Sequence, residues 1–315
     1  MKLRALFVGD GGGPRTPWRV AIFLAATFVA GVLVTGVVHP VLAWTPLVAL
    51  ARQWRVPLDQ LGALLALLAG TYAALRLADG QRHAAWDRVG LGRRAFSPRA
   101  LAVGGAAGLL AILVPSALLL AAGRLGLERQ PEIESWAHSA RVTVLVLAPA
   151  ALVEELAMRG YLLSALRDGL RAPGAVAVTS VVFALLHLFN PGPTITSTAV
   201  VALAGVFLAT VRLATGSLVA AWVAHFAWNF AQAALLHAPV SGLALPTPGY
   251  RLVDRGPAWL TGGAWGPEGG LAAAAGMLVA TFLLVWRPRR PQRLRRHARA
   301  PDAASGALPR APAET

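Results

Sequence analysis

What this chain can fold into is narrowed most by its long apolar runs, about eight of them, near 18–38, 57–77, 100–122, 142–164, 173–189, 196–214, 217–236 and 270–286. A run near ~20 residues, rising about 1.5 Å per residue as a helix, crosses the ~30 Å hydrocarbon core of a bilayer. In lipid each backbone polar group must be satisfied within its own segment, so such runs predict helices and not open strands. Composition agrees, with 56% of the 315 residues hydrophobic, 14% charged and a mean hydropathy of +0.59. A single soluble core stops growing near ~250–300 residues, so the apolar surplus predicts an all-α, polytopic helical membrane protein with about eight transmembrane helices. The first run follows Lys2, Arg4, Arg15 and Arg19, in the manner of a signal peptide's charged region. Its length exceeds the ~7–15 apolar residues of a secretory segment, and it is read as a retained span.

The charge is +15, from 29 basic against 14 acidic residues, and every basic residue but Lys2 is an arginine. These arginines cluster between the apolar runs and not along one groove, which points to topology and away from nucleic acid. Arg82, Arg88, Arg93, Arg94 and Arg99 lie between the second and third runs, and Arg287, Arg289, Arg290, Arg293, Arg295, Arg296 and Arg299 follow the last. Basic short loops favour the cytoplasmic side, so both termini are expected in the cytoplasm of a multi-pass cell-membrane protein. Arg52 and Arg55 dissent, and segment 40–51 stays open between a span and an interfacial stretch. The connections 124–141 and 239–269 read as outside loops, the second rich in Gly and Pro. Residues 288–315 are Arg, Pro and Ala with few large apolar groups, which predicts a disordered tail drawn to anionic lipid. The absence of cysteine removes thiolate nucleophiles and cysteine metal sites.

An ionisable group near the middle of a span costs ~2.5–3.5 kcal/mol on insertion scales, so the exceptions mark function. They gather in the fourth run as Glu154, Glu155 and Arg159, in the fifth as Phe183-Ala-Leu-Leu-His187, and in the seventh as His225-Phe-Ala-Trp-Asn229. Glu155 and Arg159 are four apart with the acid first, the favourable order for a helical ion pair. Glu154 lies about 100° round the helix and its own partner four residues on is Met158, so it is the unpaired carboxyl. His225 and Asn229 share a helix face. A carboxylate, two imidazoles and an amide suit hydrolysis of an acyl bond. The Glu takes a proton from water, a His orients that water or protonates the leaving group, and an Asn amide with a second imidazole holds the oxyanion. Phe183 alone reads as packing.

Together the three motifs resemble the signature of the CPBP intramembrane metalloprotease family, which includes the type II CAAX prenyl endopeptidases and bacteriocin-processing relatives. The resemblance covers about 142–236, including Thr215-Gly216-Ser217-Leu218 ahead of the His225 helix. It implies Glu154 as the water-activating base with His187 as its partner, His225 and Asn229 as oxyanion holders, and Glu155 and Arg159 as supporting residues. The domain reading is a cytoplasmic segment 1–17, a helical membrane domain 18–287 with its catalytic core near 142–236, and the tail 288–315. The implied partners are a peptide or protein substrate in or at the membrane and the lipid bilayer. No cofactor is favoured. Zinc is the alternative, held by Glu154, His187 and His225, a His2Glu set, although no His-Glu-x-x-His is present. The rival function is a membrane transporter or bacteriocin-immunity-type protein that uses the same polar cluster without catalysis.

Overall fold

The computed structural model describes residues 7–8, 13–43, 55–80, 85–131, 135–245 and 248–286. The tail expected at 288–315 and Arg52 lie outside them, segments 1–17 and 40–51 are described only in part, and residues 40–43 continue the first helix. The helices are α1 (Thr16–Ala43), α2 (Arg55–Leu77), α3 (Pro98–Ala121), α4 (Trp136–Glu155), α5 (Tyr161–Leu186), α6 (Ile195–Thr215), α7 (Leu218–Phe230), the short α8 (Ala258–Thr261) and α9 (Leu271–Val285). The chain is an all-α membrane protein with one short β ribbon, and its helices are those that its apolar runs require.

Among the described residues, six stretches are long and apolar enough to cross a membrane, by length and composition, against about eight read from sequence. One of them, Trp136–Phe189, holds 54 residues and as one straight helix would run to roughly 80 Å, well over twice the hydrocarbon thickness. It is broken inside α5, where Arg171 adopts φ 59 and ψ 175 just before Pro173. The apolar runs 142–164 and 173–189 fall on either side of that break. α9 has 15 residues, short of the ~17–25 of an ordinary crossing. A count of eight therefore holds only if the broken stretch crosses twice and α9 crosses once.

Local chemistry sets the boundaries around the polar motifs. Thr194 and Ser197 form a reciprocal capping box at the start of α6. Gly216 ends that helix in the left-handed conformation, φ 71, and Ser217 at once opens α7 by accepting a hydrogen bond from the Ala220 backbone N–H. The Ser217 hydroxyl also donates to the Ala95 carbonyl at 2.6 Å, which ties the start of α7 to the turn before α3.

With lipid outside the bundle there is little hydrophobic gain in bringing helices together, so close backbone contact has to do it. α3 meets α7 along Gly104 and Gly108, set against Ala220 and Ala224. A Cβ on either glycine would stand 2.2 or 2.1 Å from the Ala220 or Ala224 carbonyl oxygen, so only glycine allows this approach. α9 packs across α3 and α6, α5 lies along α6, and α1 pairs with α2 at the periphery. On α1, Phe28 is 72% exposed, as expected of a surface that faces lipid and not water. The connections 124–141 and 239–269 meet in a two-stranded antiparallel ribbon, β1 (Leu125–Arg129) with β2 (Tyr250–Asp254), with Leu125 opposite Asp254.

Gly108→Val is expected to destabilise the purified protein by ~1–3 kcal/mol or more through overpacking, measured as a lower midpoint of thermal unfolding in detergent. Gly36→Val, at a glycine with nothing within 4 Å of its added Cβ, should leave the midpoint unchanged. Equal sensitivity at both positions would contradict the α3–α7 contact.

Candidate active site

α4 ends on the two adjacent acids, and the chain then widens into a π-helical turn, Leu156–Gly160, before α5. A second π-helical turn, Ala231–Leu235, follows α7 directly after Asn229 and Phe230. Such turns are rare and concentrate at functional sites, because one extra residue re-aims the side chains around it. Here the first lies within the first motif and carries Arg159, and the second directly follows the third motif.

The ion pair expected from spacing is formed. Arg159 Nη1 lies 3.1 Å from Glu155 Oε1, and neither side chain has any exposure. Arg159 Nη2 donates to the Gly205 carbonyl of α6 at 3.1 Å, and its guanidinium sits 4.4 Å from the centre of the Phe183 ring. A charge buried this deeply needs partners, and Arg159 finds a carboxylate and a carbonyl for its two Nη atoms and a π face for its plane. The same Glu155 Oε1 is also 3.0 Å from His225 Nδ1, so one oxygen joins the first motif to the third. Phe183 is 3% exposed and its ring lies 4.5 Å from that of His187 and 6.1 Å from that of His225. Its packing role is therefore specific, because it is the wall that all three motifs share.

Glu154 behaves differently from its neighbour. Its side chain is 37% exposed, while its Oε2 atom is buried, has no hydrogen-bond partner, and faces His187 Nε2 at 4.0 Å and His225 Nε2 at 3.8 Å. The hydrogen-bond network assigns the tautomers. His187 Nδ1 lies 2.8 Å from the Phe183 carbonyl, which can only accept, and His225 Nδ1 faces the Glu155 carboxylate. Each ring thus carries a proton on Nδ1 and turns Nε2 toward Glu154.

His187, His225 and Asn229 line one narrow cavity, with about 40 Å³ open to the centres of water-sized molecules, where a single water needs ~10–15 Å³. Asn229 is 8% exposed. The six residues singled out in sequence, Glu154, Glu155, Arg159, His187, His225 and Asn229, thus come from three motifs into one neighbourhood. The alternative zinc set, Glu154, His187 and His225, is spaced more widely than the ligands of a loaded tetrahedral site. Ligands ~2.0–2.1 Å from a tetrahedral zinc stand roughly 3.3 Å apart, closer than the 3.8 and 4.0 Å found here. Among the described residues no group of three or more His, Asp or Glu side chains is placed to hold a metal ion.

Residues 136–231 match the family described as Type II CAAX prenyl endopeptidase Rce1-like. Over that segment the chain is similar to an Rce1-like domain. It begins with α4 and ends just past Asn229, so it takes in all three motifs and the connection that caps α6 and opens α7. No curated protein and no solved structure matches the chain. The Rce1-like family is one of CAAX-type proteases that act at membranes.

The cavity also has a wall that sequence reasoning passed over. Glu268, in the Gly- and Pro-rich connection, lines it together with Ser241, Trp228, His187, His225 and Asn229. Its signal was faint: the single acid of the segment Trp265-Gly-Pro-Glu268-Gly-Gly.

The two adjacent acids should respond in opposite ways. Glu155→Gln leaves Arg159 buried beside a neutral amide and is expected to cost ~3–5 kcal/mol, the range for removing one partner of a buried pair, read as lost yield and a lower unfolding midpoint. Glu154→Gln keeps the shape and breaks no hydrogen bond of the fold, and should leave both near wild type. Equal loss from the two substitutions would contradict the assignment.

Proposed function

We propose that this protein is an intramembrane endopeptidase that hydrolyses a peptide bond of a membrane-associated substrate with a water activated by Glu154. The observation that carries this reading is the convergence of Glu154 Oε2 with the Nε2 atoms of His187 and His225 across 4.0 and 3.8 Å. Separations of this size are within reach of one bridging water, which donates one proton to the carboxylate and one to an imidazole. Glu154 takes the first of these protons as the water oxygen bonds to the scissile carbonyl carbon, and His187 aligns it through the second. The carbonyl electron pair moves onto oxygen, where the Asn229 amide and His225 hold it. His225 donates there when Nε2 as well as Nδ1 carries a proton. That proton brings two carboxylates, Glu154 and Glu155, into balance with two cations, Arg159 and His225. Collapse of the intermediate breaks the C–N bond, and the proton taken by Glu154 passes to the departing amine.

A metal-free route is favoured by the spacing of the three side chains. The exposed flank of Glu154 leaves a side from which an extended peptide can approach, whereas the cavity lined by the histidines is narrow. The arginine distribution supports cytoplasmic termini. A cysteine at Trp259, 55% exposed in the Gly/Pro-rich connection, is then labelled by a membrane-impermeant maleimide from outside, and labelling only from the cytoplasm would reverse the orientation.

The test compares the protein termini of membranes from cells that carry wild-type protein or Glu154→Gln. New termini that vanish with Glu154→Gln at equal protein level support the reading, and an unchanged set of termini contradicts it. With a peptide so identified, Asn229→Ala should lower turnover by ~10²–10³ with little change in KM, as for loss of one oxyanion donor. Strong chelators should leave the rate within about twofold, whereas stoichiometric zinc that depends on His187 and His225 would overturn the metal-free route.

A further inference from the structure

Among the described residues outside the candidate active-site cluster, the most heavily bonded acid is Glu268, in the tight turn Pro267–Gly269 between α8 and α9. Both of its oxygens are fully used. Oε2 accepts from Trp228 Nε1 at 2.7 Å and from Gln232 Nε2 at 2.6 Å, and Oε1 accepts from the Ser241 backbone N–H at 2.5 Å and the Ser241 hydroxyl at 2.7 Å. The Glu268 backbone N–H returns a bond to Gln232 Oε1 at 3.2 Å. Four donors saturate a carboxylate, so Glu268 has no lone pair left for substrate or water. Its role lies in what those donors are attached to.

Trp228 and Gln232 flank Asn229, the first at the end of α7 and the second in the π-helical turn after it. Ser241 looks the other way. Its carbonyl accepts from Asn190 Nδ2 at 3.1 Å, and Asn190 follows the short turn His187–Phe189. The turn that presents Ser241 is itself strained into place, with Ser241 at φ 49 and Gly242 at φ 80, where an added Cβ on Gly242 would lie 2.2 Å from the Pro191 carbonyl oxygen. A continuous chain of hydrogen bonds, Asn190 to Ser241 to Glu268 to Trp228 and Gln232, thus runs from the segment after His187 to the segment around Asn229. It does so along the wall of the cavity that both residues line.

We propose that Glu268 is a positioning residue that, through Ser241, clasps the His187-bearing turn to the Asn229-bearing end of α7 and fixes the spacing between the two sides of the cavity. It acts through other groups and touches no reacting atom. The consequence for catalysis rests on the protease reading above, whereas the spacing itself does not.

The test uses the absence of native cysteine. Spin labels at Leu188→Cys and Leu235→Cys, positions 44% and 40% exposed on the two sides, report the spacing by pulsed dipolar spectroscopy in full-length protein. Glu268→Gln presents an NH2 group where two donors converge, and is expected to widen the distance distribution about twofold or more. Ser241→Ala, which removes one of the four donors and folds more readily, should widen it less. An unchanged width in both variants overturns the clasp. In the kinetic arm, Glu268→Gln should lower kcat about tenfold with KM within about threefold, and should add nothing to Asn229→Ala, because residues that act through one another are not additive. Losses that multiply in the double variant would mean that Glu268 does not act through Asn229. If the wild-type protein shows no Glu154-dependent cleavage, the protease reading falls, and the label distances still decide the clasp.

Discussion

The rest of the structure depends on one buried charge. Arg159 has no exposure to water, lies in a bundle built of apolar helices, and must be neutralised where it stands. Three neighbours answer that need, Glu155 by charge, the Gly205 carbonyl by hydrogen bonding and Phe183 by its π face, and only the guanidinium Nε is left without a hydrogen-bond partner. Because those three partners come from α4, α6 and α5, meeting the demand of one guanidinium also fixes the relative placement of three helices. His225 of α7 then joins through the oxygen of Glu155 that already binds Arg159. A single carboxylate oxygen therefore holds the structural and the chemical parts of the site in register. Glu154, one residue earlier, is left free of that duty.

This division explains how much could be read from the sequence. The i,i+4 order of Glu155 and Arg159 and the lack of a cation four residues after Glu154 follow from helix geometry alone, and the structure pairs the first acid and leaves the second bare. The motif residues were conspicuous because charge is expensive in an apolar run. Glu268 was not conspicuous, since an acid in a Gly/Pro-rich connection costs nothing when such a connection is assumed to be wet. Only the fold brings it against Trp228 and Gln232 and makes it a buried, saturated group.

Two other features had no usable signal. The π-helical turns after Glu155 and Phe230 arise from how the helices pack, and a period-3.6 reading runs straight through them. Arg19 and Arg88 read as topology markers, yet they meet Asp79 and Asp168, with Arg19 lying 2.6 Å from Asp79 and 2.7 Å from Asp168, and the Tyr161 hydroxyl donating to Asp79 at 3.0 Å. Pairs between residues so far apart in sequence cannot be inferred from spacing. The break at Arg171, by contrast, falls in the gap between the apolar runs 142–164 and 173–189, where the sequence already separates two spans.

The central claim is that Glu154 activates water and forms no bond to the substrate. Single-turnover cleavage in ¹⁸O-labelled water by purified protein tests it most directly, with the products and the enzyme both weighed by mass spectrometry. The account expects one ¹⁸O atom in the new carboxylate of the first turnover and none in Glu154. Label in Glu154, with an unlabelled first product, would show that the carboxylate itself attacks the peptide, and would contradict the account.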